Sequence, residues 1–222
     1  MERTLLVLKP DATMRRGVGA AVFERIFEAL PDVTPLGFVE RGVPKALAEQ
    51  HYAIHKGKFF YPWLIQFIRV GKVVATILEG DNIVKRLRNV LGATFVEKAE
   101  PDSLRGKYGL VGGVNVAHAS DEPDNAEKEI ALWTRRTSLD IRSEGRGPLM
   151  AYIEKWRGTP IKATKQIREY CGEYAKLYSN RTLYKDLIAE QLIEECPDWP
   201  MRKIRSLADA LLGNMDLDKQ KA

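Results

Sequence analysis

Apolar residues recur along the chain in two rhythms, one suited to strands and one to helices. Thr4–Leu8 and Lys72–Glu79, the latter with a Val-Val-Ala-Thr-Ile-Leu centre, are short aliphatic runs of the kind that form buried strands. Lys9-Pro10-Asp11 ends the first run. After a turn at Arg16-Gly17, Val18, Val22, Ile26 and Leu30 return at helical spacing, Pro31 closes the segment, and Pro35–Arg41 reads as another strand. Lys45–Ile54 and Tyr61–Arg69 predict two short helices, and Asn82–Leu91 predicts a basic one. Gly92–Lys107 has little periodicity and reads as a loop long enough to be functional or disordered. Tyr108–Val111 is expected as the last strand with His118 just beyond it. Asp124–Trp133 is expected as a helix with Ala126, Ile130 and Trp133 on one side. Strands alternating with helices place this region in the α+β class.

The rhythm changes at Thr134–Pro148, a polar stretch with two Gly and one Pro. Everything beyond it reads as helix. Leu149, Tyr152, Ile153 and Trp156 share one face, as do Ile167, Cys171 and Tyr174, and as do Ile204, Leu207, Leu211 and Met215; Leu183–Ile193 supplies a further segment. The expected organisation is a first domain at 1–138, a linker at 139–148 and an all-α extension at 149–222, packed on itself or on the first domain. Asp216–Ala222 are expected to fray.

With 222 residues, 45% of them hydrophobic, the chain can bury one sizeable core and an appendage. Its longest apolar runs are too short to span a bilayer, and the first residues lack the apolar region of a secretory signal, so a cytoplasmic enzyme is expected without a membrane partner. Cys171 and Cys196 have no CxxC partner and are expected to be reduced and buried. The net charge of +5 is uneven. Residues 1–133 carry 18 Lys+Arg against 17 Asp+Glu, and residues 134–222 carry 17 against 13. No block of five like charges occurs, so a solvated helical surface is the reading preferred to nucleic-acid binding around Arg202-Lys203-Ile204-Arg205.

Three histidines are present, and His118 has distinctive neighbours: small residues on both sides and, eleven positions on, Glu129 in the helix expected to follow. An imidazole nucleophile needs one nitrogen unprotonated and the other held by an acceptor that fixes the tautomer. Glu129, with Ser120, could supply that acceptor. Taken alone, a single histidine is more often structural. There is no GxxxxGK[ST] stretch, so a P-loop is absent.

The neighbouring residues change the balance. Lys9-Pro10-Asp11, His51-Tyr52, Phe59-Phe60, Val84-Lys85-X-X-Arg88-X-X-Leu91-Gly92-X-Thr94, Arg105-Gly106, Asn115-X-X-His118-X-Ser120-Asp121 and Ala126–Trp133 occur in an order and spacing that resembles the nucleoside diphosphate kinase family over about the first 133 residues. The resemblance implies a ferredoxin-like βαββαβ antiparallel sheet with helices on its faces, and ping-pong transfer of a γ-phosphate from NTP (usually ATP) to NDP through a phosphorylated His118. It implies that Glu129 and Ser120 orient the ring, that Lys9 and Asn115 bind the sugar region, and that Tyr52 lies near the phosphates. Arg88, Thr94 and Arg105 would hold the phosphates, and Phe60 would stack on the base. It further implies Mg²⁺ carried by the nucleotide phosphates, with Asp121 the candidate to meet it through water, and a homo-oligomer, hexamer or tetramer. The chain departs from the family pattern at Ala12 and Ala119, where Gly is usual, at Phe95-Val96-Glu97, and at Gly112, where a larger apolar residue often faces the base. The rival reading is a non-catalytic nucleotide-binding regulatory or scaffold protein that uses its helical tail for interactions.

Overall fold

The computed structural model describes residues 1–219, apart from the side chain of Asp218. In chain order the elements are β1 (Glu2–Leu8), α1 (Pro10–Thr13), α2 (Arg16–Ala29), β2 (Thr34–Gly42), α3 (Lys45–His51), α4 (Tyr61–Phe67), β3 (Lys72–Gly80), α5 (Ile83–Leu91), α6 (Leu104–Tyr108), β4 (Ala117–Ala119), α7 (Pro123–Arg136), α8 (Arg146–Trp156), α9 (Thr164–Leu177), α10 (Arg181–Leu192) and α11 (Met201–Lys219). The strands form one antiparallel sheet in the order β2-β3-β1-β4, the ferredoxin-like arrangement. An all-α extension follows.

Helices cover both sheet faces, which explains why β1 and β3 read as unbroken aliphatic runs. Leu6 and Leu8 of β1 and Val74 and Leu78 of β3 pack with Val22, Phe23 and Ile26 of α2 and Leu87 of α5. The alternate residues, Leu5, Val7, Ala75 and Ile77, pack on the other face with Leu47, Ile65, Ile130 and Trp133.

The expected strand at Tyr108–Val111 does not form. Ser103 Oγ accepts from the Gly106 backbone N–H and starts α6, which runs through Tyr108, and Val111 makes only an isolated bridge to Val114. The fourth strand is Ala117–Ala119 instead, with Leu6 opposite Ala119, Val7 opposite His118 and Leu8 opposite Ala117. Ala-His-Ala has little intrinsic strand preference; the open edge of β1 imposes the conformation. The loop expected at Gly92–Lys107 holds a 3-10 turn at Val96–Lys98 as well as the start of α6.

After α7, which continues through Thr134–Arg136, the chain runs beside β2. Leu139 is buried, Leu36 bridges Glu144, and the Gly37 backbone N–H donates to Ser143 O at 3.0 Å. Gly37 sits at the irregularity in β2 with φ +60°, and a Cβ there would come within 2.7 Å of Asp140 O, so this contact requires glycine. Leu149, Tyr152 and Ile153 of α8 belong to the core shared by α2 and the sheet. The last three helices build a further core around Cys171, Ile188, Leu207 and Leu211, and that core also takes in Met14, Phe67, Leu110 and Val114. Both cysteines are free and buried, and burial pushes each thiol up to about 12. Lys203 Nζ donates to Val70 O at 2.8 Å and Arg205 pairs with Asp186, so the basic stretch there is partly engaged within the chain. Of the stretch expected to fray from Asp216, α11 includes residues up to Lys219, and Asp216 accepts from Tyr174 Oη at 2.6 Å and from Arg181; residues 220–222 lie outside the described residues. No helix among the described residues is long and apolar enough to cross a membrane.

One fully buried ion pair fastens the extension. Arg15 Nε donates to Glu195 Oε2 at 2.6 Å, and the guanidinium also reaches Tyr108 O at 3.0 Å and Thr164 Oγ1 at 2.6 Å. Glu195 Oε1 accepts the Lys162 and Ala163 amides at 2.5 and 2.6 Å. Removing one partner of such a pair strands the other charge. Glu195→Ala is therefore expected to cost about 3–5 kcal/mol in urea unfolding. Lys165→Ala, at an exposed i,i+4 pair, should cost under about 0.5 kcal/mol. Equal losses would remove Arg15–Glu195 from its anchoring role.

Candidate active site

The site is assembled around a strained turn. Val116 has φ +76°, unusual for a β-branched residue, while the Ala117 N–H donates to Asn115 O at 2.9 Å. This is a tight turn of the rarer, positive-φ hand. Two hydrogen bonds and a ladder hold it: Val116 N–H donates to Asp11 Oδ2 at 2.8 Å, the Lys9 N–H donates to Val116 O at 2.8 Å, and β4 pairs with β1 immediately afterwards. Asp11 is completely buried. Burial pushes its carboxyl up, while Lys9 and the Val116 N–H pull it back.

The turn aims His118, opposite Val7 in the register, onto the sheet face covered by α7. Glu129 of α7 meets it: His118 Nε2 lies 2.8 Å from Glu129 Oε2. Ser120 Oγ donates to the same oxygen at 2.6 Å and accepts from the Leu5 N–H at 3.3 Å. In the neutral ring, an Nε2–H donated to Oε2 selects the tautomer whose lone pair is on Nδ1. Ser120 is buried and braces Glu129 from behind; it does not line the cleft.

That cleft has a volume of about 920 Å³. It brings together Lys9, Tyr52, Phe60, Arg88, Thr94, Arg105, Asn115, His118, Asp121 and Glu129, so of the expected site residues only Ser120 is off its surface. Lys9 Nζ donates to Asn115 Oδ1 at 2.7 Å and to Gly113 O at 3.2 Å. Arg105 donates to Gly92 O and Ala117 O, each at 2.8 Å, and its Nε has no partner. Among the described residues neither cation forms an ion pair. Burial drives the Lys9 ammonium down to about 8, opposed by Asp11 and reinforced by Arg105. Burial and then Arg88 take Arg105 down to about 10. Two buried positive groups, offset only in part by the Asp11 carboxylate, give this part of the cleft a positive character suited to an anion.

The remaining residues are placed with less constraint. Tyr52 is buried, its hydroxyl has no partner, and burial raises it above its ordinary range, keeping it protonated. Phe60 is half-buried with its ring 5.4 Å from that of His55. The exposed Thr94 offers its carbonyl to Asn115 Nδ2, and Asp121, held low by the Asn125 amide, sits at the exposed rim.

Sequence reasoning assigned no role to five contributors. Asp11 stands in the sequence only as part of the Lys9-Pro10-Asp11 motif that ends the first strand, and Val116 gives no signal because its strain is conformational. His51 is buried with its ring 4.4 Å from that of His118, accepts from Trp133 Nε1 at 3.3 Å and leaves its own Nε2 unpartnered. Asn214 and Leu217 of α11 also line the cleft. Gly112 was the available clue, since its missing side chain leaves the space that Asn214 fills.

A ferredoxin-like sheet that presents one carboxylate-braced imidazole to a cationic cleft defines a phosphotransferase class of site. The sequence model of the family described as nucleoside diphosphate kinase matches residues 2–139, and the chain belongs to that family. A nucleoside diphosphate kinase of Trichormus variabilis is 44% identical over 133 residues, covering 60% of this chain and 87% of the relative. One of Desulfitobacterium hafniense is 44% identical over 146 residues, covering 65% and 96%. Among solved structures, a halophilic nucleoside diphosphate kinase from Halobacterium salinarum in complex with CDP superposes with a TM-score of 0.56 at 35% identity, covering 60% of this chain and 86% of that one.

His51 gives the site a pH signature. Burial, then the neighbouring His118, lower it well below its ordinary 6.5, so the folded state holds it neutral. Below pH 6.5 the unfolded chain takes up a proton that the folded chain refuses, and stability falls with pH by at most about 1.4 kcal/mol per unit from this group. His51→Gln, which retains an acceptor for Trp133, should flatten that decline in urea titrations between pH 6.5 and 5. An unchanged slope would assign the decline elsewhere.

Proposed function

We propose that the chain transfers the γ-phosphoryl group of a nucleoside triphosphate to a nucleoside diphosphate through a phosphohistidine at His118. The observation that carries this reading is the ring whose Nε2 is held on Glu129, which leaves Nδ1 to act as nucleophile, in one cleft with the buried cations Lys9 and Arg105. The Nδ1 lone pair attacks the γ-phosphorus, the bond from that phosphorus to the β-bridging oxygen breaks, and the diphosphate leaves with its electron pair. In the second half, a terminal oxygen of an incoming diphosphate attacks, and the P–N bond returns its pair to Nδ1. Glu129 balances the positive charge on the phosphorylated ring, and Ser120 holds Glu129 in place. Lys9, Arg88 and Arg105 answer the charge spread over the phosphate oxygens, the Tyr52 hydroxyl is available to donate to one of them, and Thr94 adds a further polar contact. Asn115 accepts from Lys9 and fixes it in the cleft, the two together also meeting the sugar hydroxyls, and Phe60 offers the base a stacking face that suits any nucleobase.

The site suits Mg²⁺ carried in on the phosphates. The ionised Asp121 carboxylate stands at the cleft rim, whereas His51, His118 and Glu129, whose ligand atoms lie within 4.8 Å of one another, would offer mainly nitrogen to an ion that prefers oxygen. When bound, the ion would neutralise charge on the phosphate chain. We also read residues 1–138 as the part that carries the chemistry, 139–148 as the connection and 149–222 as an added helical unit, in a cytoplasmic homo-oligomer (hexamer or tetramer).

His118→Ala should lower turnover on the order of 10³-fold or more and abolish acid-labile, alkali-stable labelling by γ-labelled ATP. Transfer at the normal rate in that variant would end the phosphohistidine reading. The depressed Lys9 gives a second expectation. Its charge is lost as pH rises through about 8, so kcat/KM for the triphosphate should decline above that pH. Lys9→Met should lower kcat/KM and remove the inflection; an inflection that survives the substitution belongs to another group.

A further inference from the structure

One wall of the cleft comes from beyond the family match. Asn214 and Leu217, in the last turns of α11, line it together with Phe60, Trp63 and Gly113. The attachment of α11 there is specific. Trp63 Nε1, on α4, donates to Ala210 O at 2.9 Å, and the Gly113 N–H donates to Asn214 Oδ1 at 2.9 Å. Gly113 also presents its carbonyl to Lys9 Nζ at 3.2 Å, so one residue joins the cationic part of the site to α11. Gly112 has φ +48°, and a Cβ there would lie 2.4 Å from Asn214 Oδ1. A larger residue at 112 and Asn214 in its present place exclude each other.

We infer that α11 forms the nucleobase end of the cleft, with Leu217 as an apolar contact to the base and Asn214 as the residue that fixes the spacing between α4 and the Gly112-Gly113 turn. The inference rests on the nucleotide reading above and adds the specificity-determining surface. Three features support it. Phe60, Trp63 and Leu217 give the cleft an aromatic and aliphatic lining besides its cations and His118, and a base needs such a lining. Asn214 is 7% exposed with its carboxamide oxygen committed to Gly113, so its orientation is set before any ligand arrives. The side chain missing at position 112 is replaced from α11 rather than left as empty space. A purine presents more surface to this wall than a pyrimidine, so purine nucleotides gain more from it.

Calorimetric titration of the full-length protein with ADP, CDP and tripolyphosphate separates the parts of this claim. Leu217→Ala should weaken ADP binding about fivefold, the scale expected for losing part of an apolar contact, with a smaller effect on CDP. Tripolyphosphate, which has neither sugar nor base, should bind the variant and the parent chain alike. In steady state the ADP KM should rise in parallel, with kcat moving less than about twofold. Asn214→Ala, which frees the Gly113 N–H, should weaken ADP in the same direction. Leu183→Ala, at an exposed position on α10, should leave every value at that of the parent. If Asn214→Ala unfolds, Leu217→Ala decides alone, because Leu217 is only half-buried. ADP binding unchanged in Leu217→Ala, or tripolyphosphate weakened as much as ADP, overturns the inference while the phosphotransfer reading stands. A parent chain that binds no nucleotide overturns that reading itself.

Discussion

A β-branched residue held at positive φ is under steric strain, and strain of this kind persists only where the surroundings over-determine it. At Val116 the surroundings are the buried Asp11 carboxylate, the Lys9 amide and the short ladder between β1 and β4. Because the chain is forced through this turn, His118 emerges beside Glu129 and not into solvent. The same turn brings Asn115, which steers Lys9, and Ala117, whose carbonyl holds Arg105. Moving the turn would displace the ring and both cations together.

Those cations define the electrostatic character of the cleft. In most buried sites a positive group is paired with a carboxylate; here Lys9 and Arg105 rest on carbonyl and amide oxygens, and each is pulled toward its neutral form. The fold tolerates this because carbonyl and amide oxygens satisfy the N–H donors while the buried Asp11 carboxylate offsets only part of the charge. What the protein leaves uncancelled, a phosphate chain can cancel, and it does so most strongly where burial has excluded water.

The helical extension is joined to the first domain at depth. Its attachment uses the buried Arg15–Glu195 pair, the Arg16 guanidinium held by both Glu40 and Asp198, and a core to which Met14, Phe67 and Leu110 contribute. The outcome is that α11 ends beside the cleft that holds His118. Gly112 and Gly113 are the points of closest approach, and their lack of side chains is what lets a helix pack there.

Much of this was legible in the residues themselves. Aliphatic runs identified β1, β2 and β3, helical stripes identified α2, α7 and the extension, and ordered motifs gathered the residues that share the cleft, because these depend on local periodicity and on side-chain chemistry. Tertiary structure alone decided β4, since Ala117-His118-Ala119 is a strand only by pairing with β1, and the four-residue run at Tyr108–Val111 was taken up by a helix end and a turn. It also decided the Val116 strain, the burial that depresses Lys9 and Arg105, and the meeting of Asn214 with Gly113 across 101 positions of sequence. Periodicity records which face of an element is apolar, but a backbone dihedral, a desolvated charge or a long-range contact exists only once distant segments have been brought together.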